Sequence, residues 1–185
     1  MDVVSHFYRP HLPVPTPLRA AEPIELDVFT TQQRIEARFR LVIQEVLRPG
    51  NVTHLTVVAH SQGSVTAIDV LWLEWAANLL AGKVVYLITM GSPFTHLYQY
   101  YFPHRYPPLF VGPTRSQLNP LWGSWIQKTV RSWANIYRVD DFIGTHIEGD
   151  GAGNFPRNYC VAAGGHTWYW REQGVLHLML PYLPG

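Results

Sequence analysis

Between Thr53 and Met90 the chain reads as a buried strand, a buried helix and a second buried strand, a unit that few folds accept. Thr53–Ala59 is a short, mostly apolar and β-branched run that breaks off at Ala59-His60-Ser61-Gln62-Gly63. Val65, Ile68, Leu71, Trp72, Trp75, Leu79 and Leu80 then predict one helix that is apolar almost all round, as a buried helix is. "KVVYLITM" (83–90) is the second strand and ends at Gly91-Ser92-Pro93. "WANIYRVDD" (133–141) reads as a third strand ending in acids. "NYCVAAGG" (158–165) reads as a fourth, followed by His166 and a terminal helix. Short apolar strands alternating with helices imply an α/β chain: a three-layer α/β/α sandwich around a mostly parallel sheet covered on both faces.

With 185 residues the chain is expected to form a single domain over 1–185, with room for a five- or six-stranded sheet. Thr30 with Gln33 resembles a capping box. Ile35, Phe39, Val42, Ile43, Val46 and Leu47 follow at helical spacing, and Pro49-Gly50 closes that helix. Five prolines in 9–23 mark a loop or an extended arm. Residues 94–130 form an aromatic-rich insertion. Tyr98, Tyr100, Tyr101, Phe102, Tyr106, Phe110, Trp122 and Trp125 either stabilise an irregular segment or make a lid or acyl-binding wall. Such aromatics, if exposed, suit contact with a membrane surface or another protein.

Composition excludes several classes. A net charge of +1 gives no electrostatic case for nucleic acid or an anionic membrane. Cys160 is the single cysteine, so no internal disulfide forms. The start shows no signal-peptide pattern, and Asp69, Glu74 and Lys83 interrupt the longest apolar region, so no membrane span is read. The expected location is cytoplasmic or peripheral to a membrane. His6 with His11, and His96 with His104, lack metal-ligand spacing, and Asp150 among Gly149, Gly151 and Gly153 reads as a loop, so no metal or other cofactor is expected.

The strand-to-helix turn carries the chemistry. A serine hydroxyl is a poor nucleophile unless a base lies within hydrogen-bond reach, and a sharp turn can expose it. Such a turn requires small residues two before and two after the serine, which Ala59 and Gly63 supply. The helix that follows aims free N–H groups at the site, with the backbone N–H of Gln62 as the first oxyanion donor. An acid and a histidine then follow in chain order: Asp140 and Asp141 at the end of the third strand, and His166 beyond the fourth. His60 reads as a packed neighbour rather than a base.

The segments "VVAHSQGS", "ITMGSPFTHLYQYYFP", "NIYRVDDFIG" and "GGHTWYW", within residues 26–170, resemble the α/β-hydrolase superfamily, in particular bacterial lipase/esterase-like members. In such proteins a Gly-Ser-Pro closes the strand after the serine turn. An Asp-Pro-Ile-Gly-like segment carries the acid, and a His-Ser-x-Tyr-Trp-like segment the base. The resemblance implies Ser61 as nucleophile, Asp141 as acid and His166 as base. Phe142 stands where proline is frequent, and Asp140 remains a rival for the acid. The fold normally supplies a second oxyanion donor early in the chain. Either "VVSHFYRPH" (3–11) is a shortened early strand with its loop, with the N–H of Phe7 or Tyr8 as that donor and the fold a minimal one, or the fold is N-terminally shortened and lacks earlier strands that relatives possess.

The function expected is hydrolysis of carboxylic esters, small molecules or lipids, through an acyl-enzyme. Alternatives are a thioesterase, acyltransferase or peptidase on the same three residues, or a degenerate domain that only binds a lipid or a protein.

Overall fold

A computed structural model describes residues 30–122, 128–150 and 155–183. They fall into two units, one ending at Arg48 and one beginning at Pro49. In the first, helix α1 (Thr31–Leu47) starts as its sequence requires. The Thr30 hydroxyl accepts from the Gln33 N–H at 3.2 Å, and the Thr30 N–H donates to the Gln33 side chain at 2.8 Å. Gly50, at a φ of +77°, takes the left-handed conformation just past its end. The expected apolar face differs: Ile43 is buried, but Ile35, Val42 and Val46 are exposed, Val42 by 53%. The buried strip therefore lies about a fifth of a turn away from the line of β-branched residues.

The second unit is an α/β fold with a four-stranded parallel sheet flanked by helices. Its strands are β1 (His54–His60), β2 (Val84–Met90), β5 (Ser132–Arg138) and β6 (Arg157–Val161), in the order β1-β2-β5-β6. Between them, β3 (Phe110–Val111) and β4 (Gln117–Leu118) make a small antiparallel hairpin. Helix α2 (Gln62–Leu71) follows β1, and α3 (Glu74–Leu79) follows α2. Helix α4 (Gln173–Met179) closes the chain. The sheet has four strands among the described residues, where the length allows five or six. The early strand expected over 3–11 lies outside them.

Alternate residues of β2 point to opposite faces, and Val85, Leu87, Ile88 and Met90 are all buried, so water is excluded from both sides. One face packs Ile88, Met90, Ala134 and Ile136 under Tyr169, Val175, Met179 and Tyr182. On the other, strand register brings Ala59, Thr89, Asn135 and Asn158 into one row. The Thr89 hydroxyl donates to Asn135 Oδ1 at 2.9 Å, and Asn135 Nδ2 donates to Asn158 Oδ1 at 2.8 Å. Asn135 Nδ2 also donates to the Thr145 carbonyl, and Asn158 bonds both backbone groups of Ile147. Buried amides must be satisfied, and here they tie the loop after β5 onto the sheet.

Three expectations need correction. The helix expected after Ser61 is two helices, because Leu73 turns to an extended conformation (φ −70°, ψ 146°). That break sets the Trp72 indole N–H on the Trp122 carbonyl and its ring against Trp122. The third strand stops at Arg138, leaving Asp140 and Asp141 in the turn beyond it. The fourth stops at Val161, where strand pairing ends. Lastly, the irregular segment holds a π-helical turn (Phe94–Gln99) and a 3₁₀ turn (Pro120–Trp122) besides its hairpin. Phe94, Tyr98, Tyr106 and Trp122 are buried in it, whereas Tyr100 and Tyr101 are exposed. Trp125 lies outside the described residues. Among these residues no helix is long and apolar enough to cross a membrane.

The loop after β5 meets the end of β2 backbone to backbone. A Cβ on Gly144 would fall on the Cα and carbonyl carbon of Gly91, well inside contact distance. Neither neighbour is a side chain that could swing away. Gly144→Ala is therefore expected to cost about 1–3 kcal/mol of stability. Urea unfolding checks it, as a lower midpoint at unchanged slope.

Candidate active site

Strand β1 runs out at His60, and Ser61 makes the turn into α2 at φ +55° and ψ −133°. A residue with a Cβ rarely adopts such a conformation, which costs on the order of 1–3 kcal/mol and persists only where surroundings enforce it. The enforcement is visible. The Ser61 N–H donates to the Met90 carbonyl at 2.9 Å, and its own carbonyl accepts from the Ser64 N–H at 3.0 Å. The Ser64 hydroxyl donates to that same carbonyl at 2.5 Å and lies 2.7 Å from the buried Ser92 hydroxyl. Ala59 is buried, in keeping with the need for a small residue there. Gly63 departs from the expectation: beyond its own helix backbone and chain neighbours, a Cβ on it would meet nothing within 4 Å among the described residues. Its smallness does not answer to close packing by these residues.

The turn leaves the Ser61 hydroxyl 2.7 Å from His166 Nε2. On the far side of the ring, His166 Nδ1 lies 2.9 and 3.0 Å from the two carboxylate oxygens of Asp141. With the Nδ1 proton donated to that carboxylate, Nε2 is free to accept from the serine. The chain Ser61–His166–Asp141 is thus continuous, and it can pass a proton from hydroxyl to imidazole while the carboxylate stabilises the resulting cation. The residues come from three separate strand ends, brought together because the sheet is parallel.

Of the two adjacent acids, Asp141 faces the imidazole. It is 2% exposed. Its Oδ1 accepts from the N–H groups of Ile143 and Gly144 at 3.0 and 2.9 Å, and its Oδ2 from the Tyr169 hydroxyl at 2.9 Å. Burial pushes the carboxyl up. The Gly144 N–H and the His166 and Tyr169 hydrogen bonds outweigh it and hold the carboxyl below its ordinary value of 3.8. Asp140 turns away and accepts from the N–H groups of Gly164 and Gly165. Those two bonds hold its carboxyl below the ordinary value too. Phe142, the departure from the frequent proline, is 79% exposed, so nothing packs tightly around it.

Glycine is required where β2 ends. Gly91 has a φ of +54°, and a Cβ there would press on the Tyr169 ring, Asp141 Oδ2 and the His166 ring. Gln62 opens α2, so its backbone N–H has no acceptor within the helix and stands beside the serine at the positive end of the dipole. Its side chain donates to the Tyr98 hydroxyl at 3.0 Å, which joins the aromatic segment to this turn. Burial raises that phenol to about 12. The second donor expected from Phe7 or Tyr8 lies outside the described residues.

Sequence reasoning missed Tyr169 and Arg138. Tyr169 had a signal, since it takes the tyrosine's place in the His-Ser-x-Tyr-Trp-like segment, but the segment pointed only to the histidine and gave the tyrosine no role. Arg138 had one: it is the only charged residue inside its strand. Its guanidinium is buried, pairs with Glu172 and lies over the Tyr169 ring at 4.8 Å, fixing the tyrosine that holds Asp141. His60, expected as a packed neighbour, donates from Nε2 to the His166 carbonyl at 2.8 Å, with the two rings 4.9 Å apart. His96 and His104 are exposed, and His6 and His11 lie outside the described residues. Among those residues no three His, Cys, Asp or Glu side chains converge as a metal site. No model of a known protein family matches the chain, and no curated protein does.

The half-buried His60 and the buried Asp141 link the site's stability to pH. Burial holds the His60 imidazole below its ordinary 6.5, so on acidification the unfolded chain takes up that proton first. Stability contributed by His60 is whole above 6.5 and is lost as pH falls through its folded value. Asp141, also lowered, adds a second loss as pH falls through 3.8 and below. Urea unfolding between about pH 7 and about pH 5 is expected to show the first loss in the wild type and a smaller one in His60→Gln.

Proposed function

We propose that the protein is a serine carboxylic-ester hydrolase of the α/β-hydrolase superfamily, of lipase/esterase-like kind. The observation that carries the reading is the Ser61–His166–Asp141 hydrogen-bond chain, with its serine held at positive φ where a strand turns into a helix. Strained backbone of this kind is kept where a function uses it.

The proposed reaction has two halves. Ser61 Oγ attacks the ester carbonyl carbon while His166 Nε2 takes the hydroxyl proton. Negative charge gathers on the carbonyl oxygen, for which the Gln62 N–H is the proposed donor. As the tetrahedral centre collapses, His166 gives its proton to the departing alcohol, leaving the acyl group on Ser61. Water then attacks the acyl-enzyme, with His166 again taking the proton, and the carboxylic acid leaves as the serine regains its hydrogen. Asp141 stabilises the imidazolium in both halves and keeps the ring turned. The Gly144 amide, His166 and the Tyr169 hydroxyl keep Asp141 ionised for that task.

Kinetics on a short nitrophenyl ester test the proposal. Ser61→Ala and His166→Ala are expected to lower turnover by about 10⁴–10⁶. Asp141→Asn is expected to lower it by about 10⁴, since it presents the wrong partner to the imidazole. A wild-type protein that cleaves nitrophenyl esters no faster than its Ser61→Ala variant overturns the reading. A parallel panel of acyl-thioesters and amides separates an esterase from a thioesterase or peptidase.

A further inference from the structure

Residues 162–166 leave the sheet after Val161, so their backbone groups have lost the strand partners that would satisfy them. Side chains from elsewhere take over. The Ala162 carbonyl accepts from the Arg138 guanidinium. The Gly164 and Gly165 N–H groups donate to Asp140 Oδ2 at 2.9 and 3.0 Å, and the His166 carbonyl accepts from His60 at 2.8 Å. Gly164 lies so close to Arg138 that a Cβ would strike the guanidinium, and Gly165 has a φ of +65°. A stretch of this kind has no repeating hydrogen bonds of its own and takes its shape from what grips it.

The grips differ in what else they do. Arg138 also pairs with Glu172 and lies over Tyr169, and His60 packs on the rings of His166 and Tyr169. Asp140 sits at the surface, one residue before the acid that faces the imidazole, and one carboxylate oxygen receives two consecutive N–H groups. These are the last two amides before His166. Bonds from N–H to an ionised oxygen are stronger than neutral ones, and a pair from neighbouring residues fixes the direction of the chain.

We propose that Asp140 is a positioning residue for His166, holding the Gly164 and Gly165 amides so that the imidazole stands between Ser61 and Asp141. Its kinetic consequence rests on the reading of His166 as the general base. The two neighbouring aspartates then divide the work: Asp141 holds the ring and Asp140 holds the chain that carries it. At position 140 an acceptor oxygen is what matters. At position 141 the charge matters too.

Asp140→Ala, Asp140→Asn and Asp141→Asn separate these roles. Asp140→Ala is expected to lower kcat on a nitrophenyl ester about tenfold with KM within about twofold, because binding is untouched while the base wanders. Asp140→Asn, which keeps an acceptor, is expected to recover most of that loss, whereas Asp141→Asn is not. Proton NMR of the His166 Nδ1–H gives a readout that needs no turnover. The resonance is expected to be hydrogen-bonded and sharp in the wild type and in Asp140→Asn, and broadened in Asp140→Ala. Asp140→Leu, which is of similar shape to Asp and also lacks an acceptor, replaces the alanine variant should that one not fold. An alanine variant with wild-type kcat and an unchanged resonance overturns the proposal, as does an asparagine variant as impaired as the alanine. If no form of the protein turns over ester, the hydrolase reading fails, and the resonance comparison still decides whether Asp140 positions His166.

Discussion

A carboxylate shut away from water must find its hydrogen bonds inside the protein, and the arrangement around Asp141 follows from that demand. An ionised acid so buried is tolerable only when donors surround it. The Gly144 and Ile143 amides reach Oδ1, so the chain must curl tightly just after the acid. That curl brings Gly144 against Gly91, and only glycine fits the contact. The Tyr169 hydroxyl reaches Oδ2, so the segment after His166 must return beneath the site, where Arg138 lies over the ring. The remaining partner is the imidazole itself. Satisfying one buried charge thereby fixes the ends of β2, β5 and β6 relative to one another.

Ser61 sets the complementary constraint from β1. Its strained backbone is held by the Met90 carbonyl on one side and by Ser64 and Ser92 beneath it. Strain at one residue is affordable because α2 behind it is buried along Val65, Ile68 and Leu71. Below the site, the row Thr89–Asn135–Asn158 locks three neighbouring strands by side-chain amides as well as by their ladders. Strands β2 and β5 are covered on both faces, which keeps Thr89 and Asn135 out of water's reach, while Asn158 on the edge strand is half-buried.

Sequence patterns made the strands, the turn at Ser61 and the chain order of serine, acid and histidine legible, because short apolar runs and a break into an all-apolar helix are local signals. Strand ends were less legible. Val139 and Ala162 are as compatible with a strand as their neighbours, and only the acid's need for donors shows where the chain must turn. The break at Leu73 had no glycine or proline to announce it and depends on Trp72 meeting Trp122, fifty positions away. The choice between Asp140 and Asp141 was open for the same reason: adjacent residues of one type differ only in which way the chain faces them. The exposed line of Ile35, Val42 and Val46 shows the reverse case: the helical period holds for the helix and for Phe39, Ile43 and Leu47, but not for the edge of the face that carries the exposed three.

The central claim is that the Ser61 hydroxyl is made nucleophilic by His166. Treatment with a fluorophosphonate followed by peptide mass spectrometry tests it most directly. The account predicts a single phosphonyl adduct on Ser61, formed rapidly by the wild type and at least a thousandfold more slowly by His166→Ala, on the order of the losses found when such partners are removed. A wild-type protein that stays unlabelled, or that labels Ser61 equally fast without the imidazole, contradicts it.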